Sequence, residues 1–186
     1  MIVFGPSRKL HMMTQDDVAP LIAAALEDPA AFGRLYDHFI QRIYRYVYSR
    51  VGDAHEAEDI TSQTFIAAYE SLGHYRERGQ FSAWLFRIAR SKMNDHFRRS
   101  RREVRLEAAE RIAEVDDALG ALIQNEELIR LRSLIKKIND DERELIRLRY
   151  VAELSFVEMA ELLGKREDAV KKSFYRLLER LKGQME

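Results

Sequence analysis

Cysteine is absent from the 186-residue chain, which excludes a disulfide framework and a thiolate metal centre and fits a reducing compartment. Proline is scarce: Pro6, Pro20 and Pro29 are the only three, all near the N-terminal end. From Ala30 onward nothing forbids helix, and alternating β-branched runs are missing too, so the expected fold class is all-α. No apolar run approaches the core of a signal peptide or a membrane span, which points to a cytoplasmic protein without membrane insertion. An excess of one charge is also missing, because 31 Lys and Arg balance 31 Asp and Glu. That neutrality is unevenly spread. Residues 103–131 hold eight acids against three bases, a net of −5, so the remainder carries +5. An acidic middle between basic flanks suggests two nucleic-acid-facing modules and a linker that stays off phosphates.

Catalytic signatures are missing as well. There is no glycine-rich phosphate loop and no Gly-x-Ser-x-Gly elbow. His55-Glu56-Ala57-Glu58-Asp59 starts like a His-Glu-x-x-His zinc helix but lacks the second histidine. A metal-dependent hydrolase using His55, Glu56 and Asp59 is kept as a lesser alternative. The reading expects no catalytic residue, no metal and no cofactor.

What is present is clearest at residues 156–175. Counting from Phe156, a small residue falls fifth (Ala160), glycine ninth (Gly164) and a β-branched residue fifteenth (Val170). A helix-turn-helix needs this spacing. The small side chain permits a close crossing, glycine takes the left-handed turn, and the branched residue locks the second helix inward. The second helix can then enter a DNA major groove. Ser155 and Glu158 form a capping box that marks the start of the first helix. Val170, Phe174, Leu177, Leu178 and Leu181 must face inward, which leaves Lys171, Lys172, Tyr175 and Arg176 for DNA.

Upstream, Thr14 and Asp17 suit the first turn of a short helix over residues 14–26. Asp28-Pro29 is a strong start signal. The helix after it has an apolar stripe of Phe32, Leu35, Tyr36, Phe39, Ile43, Tyr46 and Val47, and Gly52 ends it. Asp53 and Glu56 start the next helix, with Ala57, Ile60, Thr64, Ala67 and Ser71 on one side. A polar loop follows over residues 73–80, in which Gly73 and Gly79 permit unusual backbone angles. A third long helix covers residues 82–102. The segment 103–125, broken at Gly120, reads as a linker. Beyond it, Leu128, Leu131, Ile135 and Ile138 form an inner seam, and Asn139 with Glu142 caps a helix carrying Leu145, Leu148 and Val151.

The third helix carries a polar stripe of Arg87, Arg90, Asn94, Arg98 and Arg101 that is nearly all cationic and lacks acidic partners, as a phosphate track would. Trp84, Leu85, Ile88 and Phe97 lie off it. The loop before it offers His74, Tyr75, Arg76, Arg78 and Gln80, whose aromatic and guanidinium planes suit single-stranded bases. On the second helix, Asp59, Gln63 and Ile66 share a face beside Phe65 and Tyr69, a mixed surface of the kind that docks a partner.

Two stretches, Ala57-Glu-Asp-Ile-Thr-Ser-Gln-Thr-Phe-Ile-Ala-Ala-Tyr69 and Phe81-Ser-Ala-Trp-Leu-Phe-Arg-Ile-Ala-Arg90, resemble region 2 of bacterial extracytoplasmic-function (ECF, group 4) sigma factors of the sigma-70 family. Residues 145–182 resemble their region 4. The resemblance implies an N-terminal extension at 1–27, region 2 at 28–102, a flexible acidic linker at 103–125 and region 4 at 126–186. It implies that Asp59, Gln63, Phe65 and Ile66 bind core RNA polymerase. The loop and third helix would bind and help melt the −10 element, and Arg166, Lys171, Lys172, Tyr175 and Arg176 would meet the −35 element. An anti-sigma factor is implied as a further partner beside core polymerase and promoter DNA. Arg166 stands where the family usually has a good N-cap, followed by Glu167 and Asp168, acids that favour the helix dipole but repel phosphates. The alternative is a helix-turn-helix regulator that never joins polymerase, although such a regulator has no need for the surfaces of residues 59–84.

Overall fold

The computed structural model describes residues 15–76, 80–104, 134 and 137–184. Thr14 and the acidic segment from residue 105 to residue 131 lie outside them. Among the described residues there are helices and turns and no strand.

Helix α1 spans Gln15–Glu27. Asp28 accepts a hydrogen bond from the Ala30 amide at 2.9 Å, and Pro29 opens one 3₁₀ turn before α2, Phe32–Val51. Helix α2 buries Leu35, Phe39, Ile43, Tyr46 and Val47. It stops at Gly52, which sits at φ 81°, where a residue with a side chain would be strained by about 1–2 kcal/mol. The Asp53 carboxylate accepts from the Glu56 amide and starts α3, Ala54–Ser71. The buried side of α3 is wider than its spacing predicts and includes Thr61, Phe65 and Ala68, because α3 packs against both α2 and α4, Phe81–Val104. Ala67 and Ser71, read as part of that side, are only partly covered. Phe32 and Tyr36 of α2 are half-buried, each meeting an α3 ring edge-on, Tyr69 at 5.2 Å and Phe65 at 4.8 Å.

The second half begins at Asn139, whose capping box with Glu142 opens α5, Asp140–Ile146. Of the predicted seam ahead of it, Ile138 is buried, as is Leu134, which the seam omitted. Leu128, Leu131 and Ile135 lie outside the described residues. After α5 the backbone widens into a π-helical turn, Arg147–Val151, closed by the Ala152 amide donating to the Arg147 carbonyl at 2.8 Å. The Ser155–Glu158 capping box opens α6, Phe156–Leu163. Gly164, at φ 63°, turns the chain into α7, Glu167–Gly183.

The two halves pack together. Helix α2 lies against the π-helical turn and α4 against α6. Leu148, Leu154 and Met159 belong to the same buried cluster as Phe39, Tyr46 and Phe86, and each such side chain removed from water contributes about 1.5–3 kcal/mol. Reading the sequence as two units on a flexible linker left this contact out.

Candidate nucleic-acid interface

The helix-turn-helix has the geometry its spacing predicts. Ala160 and Val170 are buried where α6 and α7 cross. With Val170, Phe174, Leu177 and Leu181 turned inward, the opposite side of α7 presents Lys172, Tyr175 and Arg176 to solvent. Tyr175 is 54% exposed while its ring leans on Phe156 at 5.7 Å, so an apolar floor props it outward. Lys171 is held differently. It pairs with Glu167 at 2.7 Å, and that hydrogen bond and charge raise its pKa. Arg166 occupies the cap position with extended backbone and makes no side-chain cap bond; its guanidinium lies 4.0 Å from Asp168.

On α3, Asp59, Gln63 and Ile66 are exposed along one face, with Ile66 at 58% and the neighbouring Tyr69 at 46%. Phe65 is a correction. It is 5% exposed and its ring packs against Tyr36, so it supports the face from beneath and cannot touch a partner. The wider buried arc of α3 is the reason. Asp59 and Gln63 also border a shallow cleft shared with His96 and Arg99 of α4, which local spacing on α3 does not reveal. Glu56 faces His96 at 3.3 Å. Among the described residues, no group of three or more His, Cys, Asp and Glu side chains could hold a metal ion.

The loop into α4 begins as a 3₁₀ turn, Leu72–His74. Gly73 therefore needs no unusual backbone angle, and a Cβ there would meet nothing within 4 Å. That expectation fails for Gly73 because the turn simply continues the end of α3. Gly79 and Arg78 lie outside the described residues. His74 and Arg76 are exposed. Tyr75 is half-buried, its ring centroid 5.4 Å from Phe81 and 5.0 Å from Trp84, so three rings build a fixed platform at the start of α4. The Gln80 carbonyl accepts from the Trp84 amide at 3.1 Å and begins that helix.

The α4 stripe is exposed at Arg87, Asn94 and Arg98 and half-buried at Arg90; the side chain of Arg101 lies outside the described set. Its supposed lack of acidic partners is wrong. Arg98 pairs with Asp95 at 2.9 Å. Arg87 reaches the Glu161 carboxylate at 3.2 Å and its carbonyl at 3.0 Å. Arg90 donates to the Leu162 carbonyl at 3.4 Å and lies 3.7 Å from Glu144. Glu161 sits 74 positions beyond Arg87, so no local pattern could have paired them.

Glu144 of α5 is the polar centre between the halves. It is 6% exposed. It accepts the Tyr46 hydroxyl at 2.6 Å and an Arg50 N–H at 2.9 Å. Burial, then the Glu144 charge, pushes the Tyr46 phenol far above its ordinary pKa, so it remains a donor. Nearby, Arg42 donates to the carbonyls of Ala152 and Glu153 at 3.0 and 3.2 Å. Burial lowers its pKa, opposed by Glu158 and Glu153.

These surfaces lie within segments that match known families. The model of Sigma-70 region 2 matches residues 35–103, and that of Sigma-70 region 4 matches residues 128–181. The chain is 37% identical over 158 residues to the ECF RNA polymerase sigma factor BldN of Streptomyces coelicolor, covering 81% of this chain but 59% of that protein. It is 31% identical over 169 residues to the ECF RNA polymerase sigma factor SigW of Bacillus subtilis, covering 85% of this chain and 90% of that protein. Among solved structures it resembles CnrH in complex with the cytosolic domain of CnrY, with a TM-score of 0.58, 27% identity, and 88% and 94% of the two chains covered. The sigma factor RpoE in complex with the anti-sigma factor NepR from Bartonella quintana shares the fold, with a TM-score of 0.58 at 20% identity, over 83% and 96% of the chains. No helix among the described residues is long and apolar enough to cross a membrane. With both regions matched in order and SigW aligned over nearly its whole length, this chain belongs to the ECF RNA polymerase sigma factors of the sigma-70 family.

Proposed function

We propose that this sigma factor acts in the cytoplasm by binding core RNA polymerase, directing it to promoters and helping to melt the −10 element. The polymerase supplies the catalysis. Residues 28–102 serve as region 2, 103–125 as the linker and 126–186 as region 4. Asp59, Gln63 and Ile66 form the polymerase-docking face, with Tyr69 beside them. His74, Arg76 and the Tyr75 platform receive −10 bases, the α4 stripe follows the strand, and Arg166, Lys172, Tyr175 and Arg176 meet the −35 element, with Lys171 in a lesser part. An anti-sigma factor is a further partner, in line with the NepR complex of the related RpoE.

One observation carries this reading. A mixed, exposed α3 face and a cationic α4 stripe stand on a single region-2 body, which a plain DNA-binding regulator does not require. The test is co-purification with tagged core polymerase. Asp59→Arg combined with Ile66→Asp should abolish retention while the helical circular dichroism stays unchanged. Retention equal to that of the unmodified chain would show that the docking face is misplaced.

A further inference from the structure

Glu144 is outnumbered by cations. Arg50 donates to it at 2.9 Å, and Arg90 lies 3.7 Å away. The Arg147 guanidinium stands close enough to feel the charges of Glu144, Arg50 and Arg143 together. Arg143 is taken by the Asp140 carboxylate at 3.0 Å and the Ile138 carbonyl at 3.1 Å. That leaves Arg50, Arg90 and Arg147 sharing one buried carboxylate, with two positive charges uncompensated among the described residues. All three arginines are half-buried, where water and salt screen charge less than on an open surface.

Arg147 is the member without a partner. Among the described residues its guanidinium forms no hydrogen bond and no ion pair, although a guanidinium offers five N–H donors. Nor is it sealed off. Among the described residues the Thr61 hydroxyl is the sole unpartnered side-chain group shut away from solvent, so the Arg147 donors can be reached from outside. Burial, then the Arg50 charge, lowers the Arg147 pKa, as expected of a cation held in a place that disfavours it. Arg147 also opens the π-helical turn that packs on α2, and single widened turns of this kind are frequent at functional sites.

We propose that Arg147 and Arg50 form a binding site for a small phosphorylated anion of the di- or polyphosphate class, carrying two or more negative charges. Its phosphoryl oxygens match the two-pronged geometry of a guanidinium, and its charge matches the excess of cation that Glu144 leaves. Arg143 adds to the attractive field from beside the site. Chloride, with a single charge and no pair of acceptor oxygens, fits poorly. A DNA duplex fits poorly too, because these guanidinia are partly covered where the π-helical turn meets α2 and cannot lie flush against a stiff backbone. Neither Arg147 nor Arg50 belongs to the −10 or −35 set, so the site does not rest on the assignment of those surfaces.

The test is calorimetric titration of the full chain with pyrophosphate, at fixed ionic strength in chloride. The expected result is saturable binding that Arg147→Gln weakens at least about 10-fold, as loss of a charge-assisted hydrogen bond does. Arg147→Lys keeps the charge but loses the fork, so it should fall between the two, and it carries the comparison if the glutamine variant folds poorly. Arg34→Gln, which removes an exposed cation elsewhere on α2, should bind as the unmodified chain does. Thermal unfolding gives a second readout. Without pyrophosphate, Arg147→Gln should melt above the unmodified chain because a like-charge repulsion is relieved, and pyrophosphate should raise the midpoint of the unmodified chain far more than that of the variant. Absence of saturable binding overturns the site, as does equal affinity in both Arg147 variants and the unmodified chain. A ligand-free midpoint lowered by Arg147→Gln would show that Arg147 is already compensated, and overturns it as well. If a short duplex of random sequence displaces pyrophosphate and itself depends on Arg147, the cluster belongs to a DNA-binding surface and the small-anion site falls.

Discussion

Phe65 and Ile66 are adjacent on α3 and should behave in opposite ways when changed. Phe65 fills the α2–α3 seam, so Phe65→Ala should cost about 3–5 kcal/mol and lower the thermal midpoint by many degrees. Ile66→Asp touches no core and should leave stability within about 0.5 kcal/mol while weakening polymerase binding. Thermal unfolding followed by circular dichroism separates the two; equal midpoints would contradict the burial. Thr61 gives a third residue-scale expectation. Its hydroxyl is fully buried without a hydrogen-bond partner, whereas Thr64 donates to the Ile60 carbonyl at 2.7 Å. Thr61→Val should therefore stabilise the protein by about 1 kcal/mol, and a lower denaturant midpoint in that variant would refute it.

At the scale of elements, α7 divides its cations. Lys171 is already committed to Glu167, while among the described residues Lys172 and Arg176 form no ion pair. Arg176→Ala should lower the salt dependence of promoter binding by about one unit of slope, and Lys171→Ala should change it less. Footprints over a salt series measure both; equal slopes for the two variants would show that Glu167 releases Lys171 on binding. The loop over residues 73–80 should set −10 preference independently of α7. Exchanging it for the loop of a related sigma factor should move permanganate-reactive thymines to the donor's −10 sequence without changing −35 choice. Opening at the original sequence would assign specificity to α4 itself. Elements of this kind were legible in the sequence because their causes are local. Asp28, Asp53, Asn139 and Ser155 each cap the helix they precede, and Gly52 and Gly164 take the left-handed angle that ends one. The π-helical turn was not legible, since nothing in Arg147–Val151 distinguishes it from ordinary helix; packing against α2 accompanies the wider ring. Gly73 shows the converse, a glycine whose freedom the backbone does not use.

At the scale of the whole molecule, what escaped the sequence reading is what joins distant residues. The α4 arginines were visible as a stripe; the partner of Arg98, Asp95, is local, but those of Arg87 and Arg90 arrive from the second half. Nothing local sets Glu144 apart from the other acids of Asp140–Ile146, yet it is the polar hub of the interface. Tyr46, by contrast, was placed in the core stripe correctly, and only its hydrogen bond was hidden. The most direct test of promoter-directed initiation is transcription in vitro from sheared genomic DNA by purified core polymerase, with and without this protein, with the 5′ ends of the transcripts sequenced. Adding the protein should produce transcripts starting a fixed distance downstream of one shared pair of −35 and −10 motifs. Transcripts that are unchanged by the protein, from a core preparation that responds to another sigma factor, would contradict it.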